Sequence, residues 1–216
     1  MNRLFEKHKF QWSQKSFSFS ALLAFLFLAS SLVVNYAAGI YATNRASQAV
    51  TDILLDNLPV FNVNFIFVNG TIIFLLFVGA LLIQEPKRIP FILKSAAIFA
   101  LVRSIFIIMT HLGPPGQGWI EPNRFLELFT FGGDLFFSGH VGLPFLFALI
   151  FWDTKYFRYI FLAASLIGGT AVILGHLHYT IDVFAAFFIS YGIFHAAQWL
   201  FKKDYQLFLD SLRKDI

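Results

Sequence analysis

The chain has 216 residues, of which 58% are hydrophobic and only 13% are charged. Soluble domains carry about 25% charged residues, so the composition excludes an ordinary soluble domain and predicts a polytopic membrane protein. The absence of cysteine excludes a disulfide framework and a thiolate metal site. The formal net charge of +4 does not indicate a nucleic-acid partner.

Six apolar runs along the chain predict an all-α fold with six transmembrane helices. Their approximate bounds are Phe17–Tyr41, Phe61–Ile83, Pro90–Leu112, Ser138–Trp152, Tyr156–Leu177 and Tyr179–Phe201. The fourth run is short for a span. The first run is longer than the roughly 7–15 apolar residues of a signal peptide, so we expect an uncleaved helix. The segment between the first two runs contains a mildly amphipathic piece, Ala46–Leu58, which we expect to lie along the membrane surface.

The distribution of lysine and arginine predicts the orientation. If the N-terminus is cytoplasmic, the outer loops hold only Arg45 and Arg124. The cytoplasmic segments then hold twelve basic residues: Arg3, Lys7, Lys9, Lys15, Lys87, Arg88, Lys155, Arg158, Lys202, Lys203, Arg213 and Lys214. We therefore predict a single membrane-embedded domain over residues 1–216 with both termini in the cytoplasm. No oligomeric state is predicted.

Two polar clusters interrupt the apolar runs. The first, residues 134–140, ends in Ser138-Gly139-His140 at the head of the fourth run, and the second, His178-Tyr179-Thr180-Ile181-Asp182, lies between the fifth and sixth runs. Ionisable groups at membrane depth are costly and are by default candidates for a functional site. The predicted topology places both clusters on the outer side of the membrane.

The residue types in these clusters suit phosphoryl transfer. His178 and Asp182 are four residues apart, so they share a helix face if the sixth helix starts near His178. The carboxylate can then orient the imidazole for nucleophilic attack. His140 follows a glycine at a helix start, where an anion is favoured, and can serve as acid and then base. No cofactor is needed for this chemistry, and the histidines make a poor metal-ligand set.

The clusters resemble the two signature motifs of a known family. Gly133-Asp134-x3-Ser138-Gly139-His140 and His178-Tyr179-Thr180-x-Asp182-Val183 are similar to those of the sphingomyelin synthases and their relatives, within the type-2 phosphatidic acid phosphatase (PAP2) superfamily. The resemblance covers about residues 90–200. A further motif of that family, at the end of its third span, is matched by Arg103, Thr110, Leu112 and Pro115.

Several positions depart from the family pattern. The family's cysteine before Gly-Asp is Gly132 and its threonine after the first histidine is Val141. Its acidic-proline motif is matched only in part, by Asp56-Asn57-Leu58-Pro59. The lipid phosphatases carry a Ser-Arg pair where this chain has Ala171 and Val172, and their Lys-x6-Arg-Pro motif is missing. The missing arginines disfavour a dianionic phosphate monoester and suit a phosphodiester.

The resemblance implies a lipid phosphotransferase that works through a phosphohistidine. His178 would attack the phosphorus of phosphatidylcholine or phosphatidylethanolamine, and His140 would protonate the departing diacylglycerol. The phospho-head group would then pass to a lipid hydroxyl such as that of ceramide, or to water. The residues expected to contact substrate are Asp134, Ser138, Gly139, Arg103 and Tyr179. We expect an integral protein of a bacterial inner membrane with a periplasmic site.

Two other functions fit the same residues. One is a PAP2-type lipid phosphate phosphatase, and the other is a catalytically silent membrane protein that binds lipid.

Single residues also have alternative roles. Asp134 has an alternative role as a helix cap, and Arg103 has an alternative role in a buried ion pair. His176 lacks a partner at a useful spacing, so we interpret it as structural.

Overall fold

The computed structural model describes residues 2–115 and 135–212, and within these ranges the regular structure is helical. This confirms the all-α class. The α-helices of the described residues are α1 (Asn2–Ser13), α2 (Lys15–Arg45), α3 (Gly70–Gln84), α4 (Ile89–Met109), α5 (Gly139–Ile150), α6 (Lys155–Leu174), α7 (Thr180–Leu200) and α8 (Lys202–Leu212). A π-helical turn, Phe65–Asn69, leads directly into α3.

Five of the described helices are long and apolar enough to cross a membrane. They cover Lys15–Arg45, Phe65–Gln84, Pro86–Met109, Lys155–Leu174 and Thr180–Leu200. The fourth predicted run instead forms the 12-residue helix α5. At 1.5 Å per residue α5 is about 18 Å long, which is shorter than the roughly 30 Å hydrocarbon core. The sixth span and the orientation of the termini stay predictions.

The core of the bundle lies around α5. Val141, Leu146 and Ala148 have no exposed surface, and α5 packs against both α6 and α7. Aromatic rings from α3 and α6 surround its second half. For example, the ring centroid of Phe147 lies 5.6 Å from that of Phe74 and 5.4 Å from that of Phe161. This packing fixes α5 and therefore the histidine at its start.

Small residues allow α2 to approach α4 closely. Ala21, Ala24 and Ala42 are fully buried on α2, whereas many of its larger side chains, such as Phe19, Phe25 and Val33, are exposed. In a membrane, small residues at a helix interface permit backbone contact and gain van der Waals packing. Helix α2 is therefore a peripheral span that lies along α4.

Polar contacts join the ends of the chain to the bundle. The Lys94 ammonium on α4 lies 2.6 Å from the Asp204 carboxylate on α8 and 2.8 Å from the Ser20 hydroxyl on α2. Lys7 on α1 forms an ion pair with the buried Glu85. These partners stabilise α1 and α8, two helices that the apolar pattern did not predict.

The first connecting segment, residues 46–64, has little regular structure. It contains one 3₁₀ turn, Leu55–Asn57, and hydrogen bonds from Val50 and to Asp52 join it to the start of α7. The amphipathic piece Ala46–Leu58 thus belongs to the surroundings of the second polar cluster.

Candidate active site

The two polar clusters meet at the starts of α5 and α7. The backbone N–H of Ser138, the N-cap residue of α5, donates to the backbone oxygen of Asp182 at 3.1 Å. His140 lies close enough to His178 and Arg103 to interact electrostatically with both. The structure therefore brings together the three predicted catalytic residues, and their roles in catalysis stay predictions.

His178 lies in the turn between α6 and α7. Helix α7 begins at Thr180, two residues later than His178, so the shared helix face assumed from the spacing is not formed. The turn nevertheless places His178 Nδ1 3.5 Å from Asp182 Oδ2, with side chains 7% and 0% exposed. Asp182 Oδ2 also accepts a 3.0 Å hydrogen bond from the Tyr179 N–H, which fixes the carboxylate at the helix start.

Asp52, in the first connecting segment, binds the start of α7. Its Oδ2 accepts from the Thr180 N–H at 2.7 Å and its Oδ1 accepts from the Thr180 hydroxyl at 2.5 Å. Burial raises the pKa of Asp52, but hydrogen bonds from Thr180, Leu55 and Leu54 outweigh it and hold the pKa below the ordinary value of 3.8. No local pattern in the sequence points to Asp52, because 128 residues separate it from Thr180. The nearby Asp56, which lies in the partial match to the acidic-proline motif, accepts a hydrogen bond from the Asp52 N–H at 3.0 Å.

Tyr179 connects three segments of the chain. Its hydroxyl donates to the Gly113 carbonyl at 2.8 Å and accepts from the Val50 N–H at 3.1 Å, and the residue is 2% exposed. These backbone partners give Tyr179 a role in holding the first connecting segment and the end of the third run beside α7. Its contact with substrate stays a prediction.

Arg103 extends from α4 to the start of α5. Its Nε donates to the Phe137 carbonyl at 2.9 Å. A Cβ added to Gly139 would lie 3.5 Å from this Nε and 3.8 Å from the guanidinium carbon. A positive charge and the N-terminal end of a helix dipole thus lie side by side, an arrangement that favours an anion.

The imidazole of His140 stacks on Phe67. The ring centroids are 4.1 Å apart and the ring planes are inclined by 26°. Phe67 lies in the π-helical turn before α3, and such turns are frequent at functional sites. The sequence contains 30 phenylalanines, and nothing in the pattern distinguishes this one.

Several polar atoms of the site are buried without a hydrogen-bond partner among the described residues. They include Ser138 Oγ and Asp182 Oδ1. Burying a polar group without a partner is unfavourable, so each is a group that a polar ligand can satisfy.

Asp134 lies outside the described residues, so its predicted role is not tested. Within the described ranges no group of three His, Asp or Glu residues could hold a metal ion.

Residues 132–199 match the family model PAP2 superfamily C-terminal. The match covers about a third of the chain and contains His140, His178 and Asp182. It supports the PAP2 superfamily, whose members are phosphoesterases and phosphotransferases. The searches of curated proteins and of solved structures found no match. Together with the five apolar helices, the PAP2 match fits an integral membrane protein with a lipid-related function.

Proposed function

We propose that the protein is a sphingomyelin synthase-like lipid phosphotransferase. It moves phosphocholine or phosphoethanolamine from a glycerophospholipid to a lipid hydroxyl such as that of ceramide, or to water. The observation that carries this proposal is the meeting of the two histidine motifs through the Ser138 N–H and the Asp182 carbonyl. The PAP2 match over residues 132–199 supports the reaction class.

The first half of the reaction forms a phosphohistidine. Asp182 Oδ2, 3.5 Å from His178 Nδ1, favours the tautomer that carries a proton on Nδ1, so Nε2 keeps its lone pair. Nε2 attacks the phosphorus, a P–N bond forms, and the P–O bond to diacylglycerol breaks. The departing oxygen takes a proton from His140, which must enter this step as imidazolium. The phosphate of the bound lipid favours that cation, because it partly offsets the positive charge of Arg103.

The second half restores the enzyme. Neutral His140 takes the proton of the acceptor hydroxyl, the acceptor oxygen bonds to phosphorus, and the P–N bond breaks. His178 then returns to its starting tautomer. In this proposal, Arg103 and the start of α5, which lie side by side, stabilise the charge on the phosphoryl oxygens in both steps.

Charge favours a phosphodiester substrate over a phosphate monoester. In the described part of the site, the guanidinium of Arg103 lies against Gly139 and matches the single negative charge of a diester. A monoester near pH 7 carries up to about two charges and is bound best by several arginines. A PAP2-type phosphatase is therefore the second candidate.

The proposal is tested with purified protein in liposomes that contain labelled phosphatidylcholine, phosphatidylethanolamine or phosphatidic acid, with and without ceramide. We expect diacylglycerol from a diester lipid, and a ceramide product when ceramide is present. His178→Ala should abolish both. His195→Ala is the matched control, since His195 is an exposed histidine of α7 that bonds to Gln198. Inorganic phosphate from phosphatidic acid alone would establish the phosphatase instead, and no turnover would favour the silent lipid-binding protein.

A further inference from the structure

Asn64 carries a buried amide at the start of the π-helical turn that leads into α3. Its Oδ1 and Nδ2 are both buried and have no hydrogen-bond partner among the described residues. Asparagine at a helix start usually caps the helix, but the side chain of Asn64 makes no cap hydrogen bond to the π-helical turn that follows it. Helix capping therefore does not account for this buried amide.

The neighbours of Asn64 lie against both histidine segments. A Cβ on Gly175 would clash with Val63, so the residue before Asn64 packs directly on the turn that carries His178. Phe67, one turn after Asn64, stacks on His140. The amide thus belongs to a short segment that bridges the two histidines.

His176 occupies a backbone position that normally selects glycine. Helix α6 ends in a Schellman motif, in which the His176 N–H donates to Ile173 O at 3.0 Å and the Leu177 N–H donates to Val172 O at 2.8 Å. The motif requires a left-handed residue, and His176 has φ of 50°. Glycine adopts this conformation without a steric penalty, whereas a residue with a Cβ adopts it only at a cost in free energy. The imidazole is therefore present at a cost in backbone conformation.

The His176 side chain also lacks a partner in the described ranges. The residue is 5% exposed, and its Nε2 is buried without a hydrogen bond. It follows Gly175, which packs on Val63, and precedes His178 by two residues. Backbone strain together with an unsatisfied buried group is typical of functional positions.

We propose that Asn64 and His176 bind the phospho-head group of the lipid substrate. This inference rests on the proposed function, because it assigns two further substrate-binding residues to the same site. The amide of Asn64 and the imidazole of His176 are buried hydrogen-bonding groups in segments that pack on, or form, the turn that carries the attacking histidine. An amide N–H and an imidazole N–H can donate to the oxygens of a phosphodiester.

The experiment uses the full chain with the substitutions His176→Gly, His176→Asn and Asn64→Leu. The probes are dihexanoyl-phosphatidylcholine and dihexanoyl-phosphatidylethanolamine, and dihexanoylglycerol serves as a control that lacks the head group. Their Kd values are measured in a His178→Ala background, so that binding is observed without turnover. KM, kcat and Tm are measured in the parent background. Asn69→Leu is the matched control, because Asn69 is an exposed asparagine in the same π-helical turn.

We expect His176→Gly and Asn64→Leu to raise the Kd and KM for the phospholipid by about tenfold or more, with a much smaller change in kcat. The Kd for dihexanoylglycerol should not change. His176→Gly should keep or raise Tm, because glycine relieves the left-handed strain. His176→Asn should recover part of the affinity, since asparagine tolerates the same φ and keeps a hydrogen-bonding group.

Unchanged phospholipid Kd values in both variants would overturn the inference, whether or not the protein turns over lipid. An equal loss of affinity in Asn69→Leu, or an equal loss for dihexanoylglycerol, would also overturn it. Absence of turnover in the parent protein would refute the proposed function alone. The Kd values would then still decide whether Asn64 and His176 bind the head group.

Discussion

Asp52→Ala tests whether the first connecting segment holds the start of α7. The carboxylate of Asp52 accepts two hydrogen bonds from Thr180, and its Oδ1 also accepts the N–H groups of Leu54 and Leu55 at 2.9 and 3.1 Å. Loss of a helix cap costs about 0.5–2 kcal/mol, and loss of the turn bonds at a half-buried site adds about 1 kcal/mol. We therefore expect the free energy of unfolding to fall by about 1.5–3 kcal/mol.

The assay is thermal unfolding combined with turnover of a diester lipid. For a chain of this size, about 1.5–3 kcal/mol corresponds to a Tm that is lower by roughly 3–12 °C. Since His178 lies two residues before Thr180, release of the helix start should also displace the proposed nucleophile and lower kcat by about 10- to 100-fold. Asp153→Ala, at an exposed aspartate before α6, is the control. A Tm and a kcat equal to those of the parent would refute the reasoning.

The same contact predicts a pH dependence. Because the pKa of Asp52 in the folded protein is lowered from 3.8, its stabilising effect is complete above about pH 4 and is lost as the pH falls below 3.8 through the folded-state pKa. The difference in stability between the parent and Asp52→Asn should therefore be constant from about pH 5 to 8 and shrink only in stronger acid. A difference that changed between pH 5 and 8 would assign the effect to another group.

Three further substitutions probe other parts of the molecule. Phe67→Leu should lower kcat by about 3- to 10-fold, because an aromatic pair contributes about 0.5–1.5 kcal/mol and its loss frees the His140 ring. Phe67→Tyr should retain activity. Equal activity of the parent and both variants would contradict a positioning role for Phe67. Ser138→Ala should leave Tm within about 1 °C of the parent value, because Ser138 Oγ has no partner among the described residues. If the hydroxyl contacts phosphate, the variant should lower kcat/KM by about tenfold. An unchanged kcat/KM would exclude that contact. Lys94→Met should destabilise the protein by about 3–5 kcal/mol, because it leaves the buried Asp204 carboxylate without its cation. Lys94→Met combined with Asp204→Leu should recover most of that loss in a denaturation experiment. No recovery in the double variant would show that the ion pair is not the cause.

Helices were predictable where their own composition determines them. The third and sixth apolar runs, Pro90–Leu112 and Tyr179–Phe201, agree with α4 and α7 to within three residues. Long apolar runs can satisfy their backbone groups in a membrane only as helices, so local sequence is sufficient. Helices α1 and α8 are polar, and contacts such as Lys94 with Asp204 support them, so their own composition gave no comparable signal.

The candidate site was predictable only in its local parts. His178 and Asp182 are close in the sequence, and a recognisable spacing pointed to both. Asp52 and Phe67 reach the site by folding across long stretches of chain, and their residue types are ordinary for a loop and an apolar helix. The resemblance drew attention to Asp56 through a partial match to the acidic-proline motif, whereas Asp52 is the residue that contacts Thr180. The position of a carboxylate in a motif does not show which helix start it meets.

The contact between Asp52 and Thr180 has a consequence for biosynthesis. Asp52 emerges from the ribosome early, whereas Thr180 begins the last long apolar helix of the described chain. The start of α7 can therefore gain its carboxylate partner only after that helix has joined the bundle. A chain that stops before residue 178 contains His140 but neither His178 nor Asp182, so it lacks two of the three residues proposed to form the site.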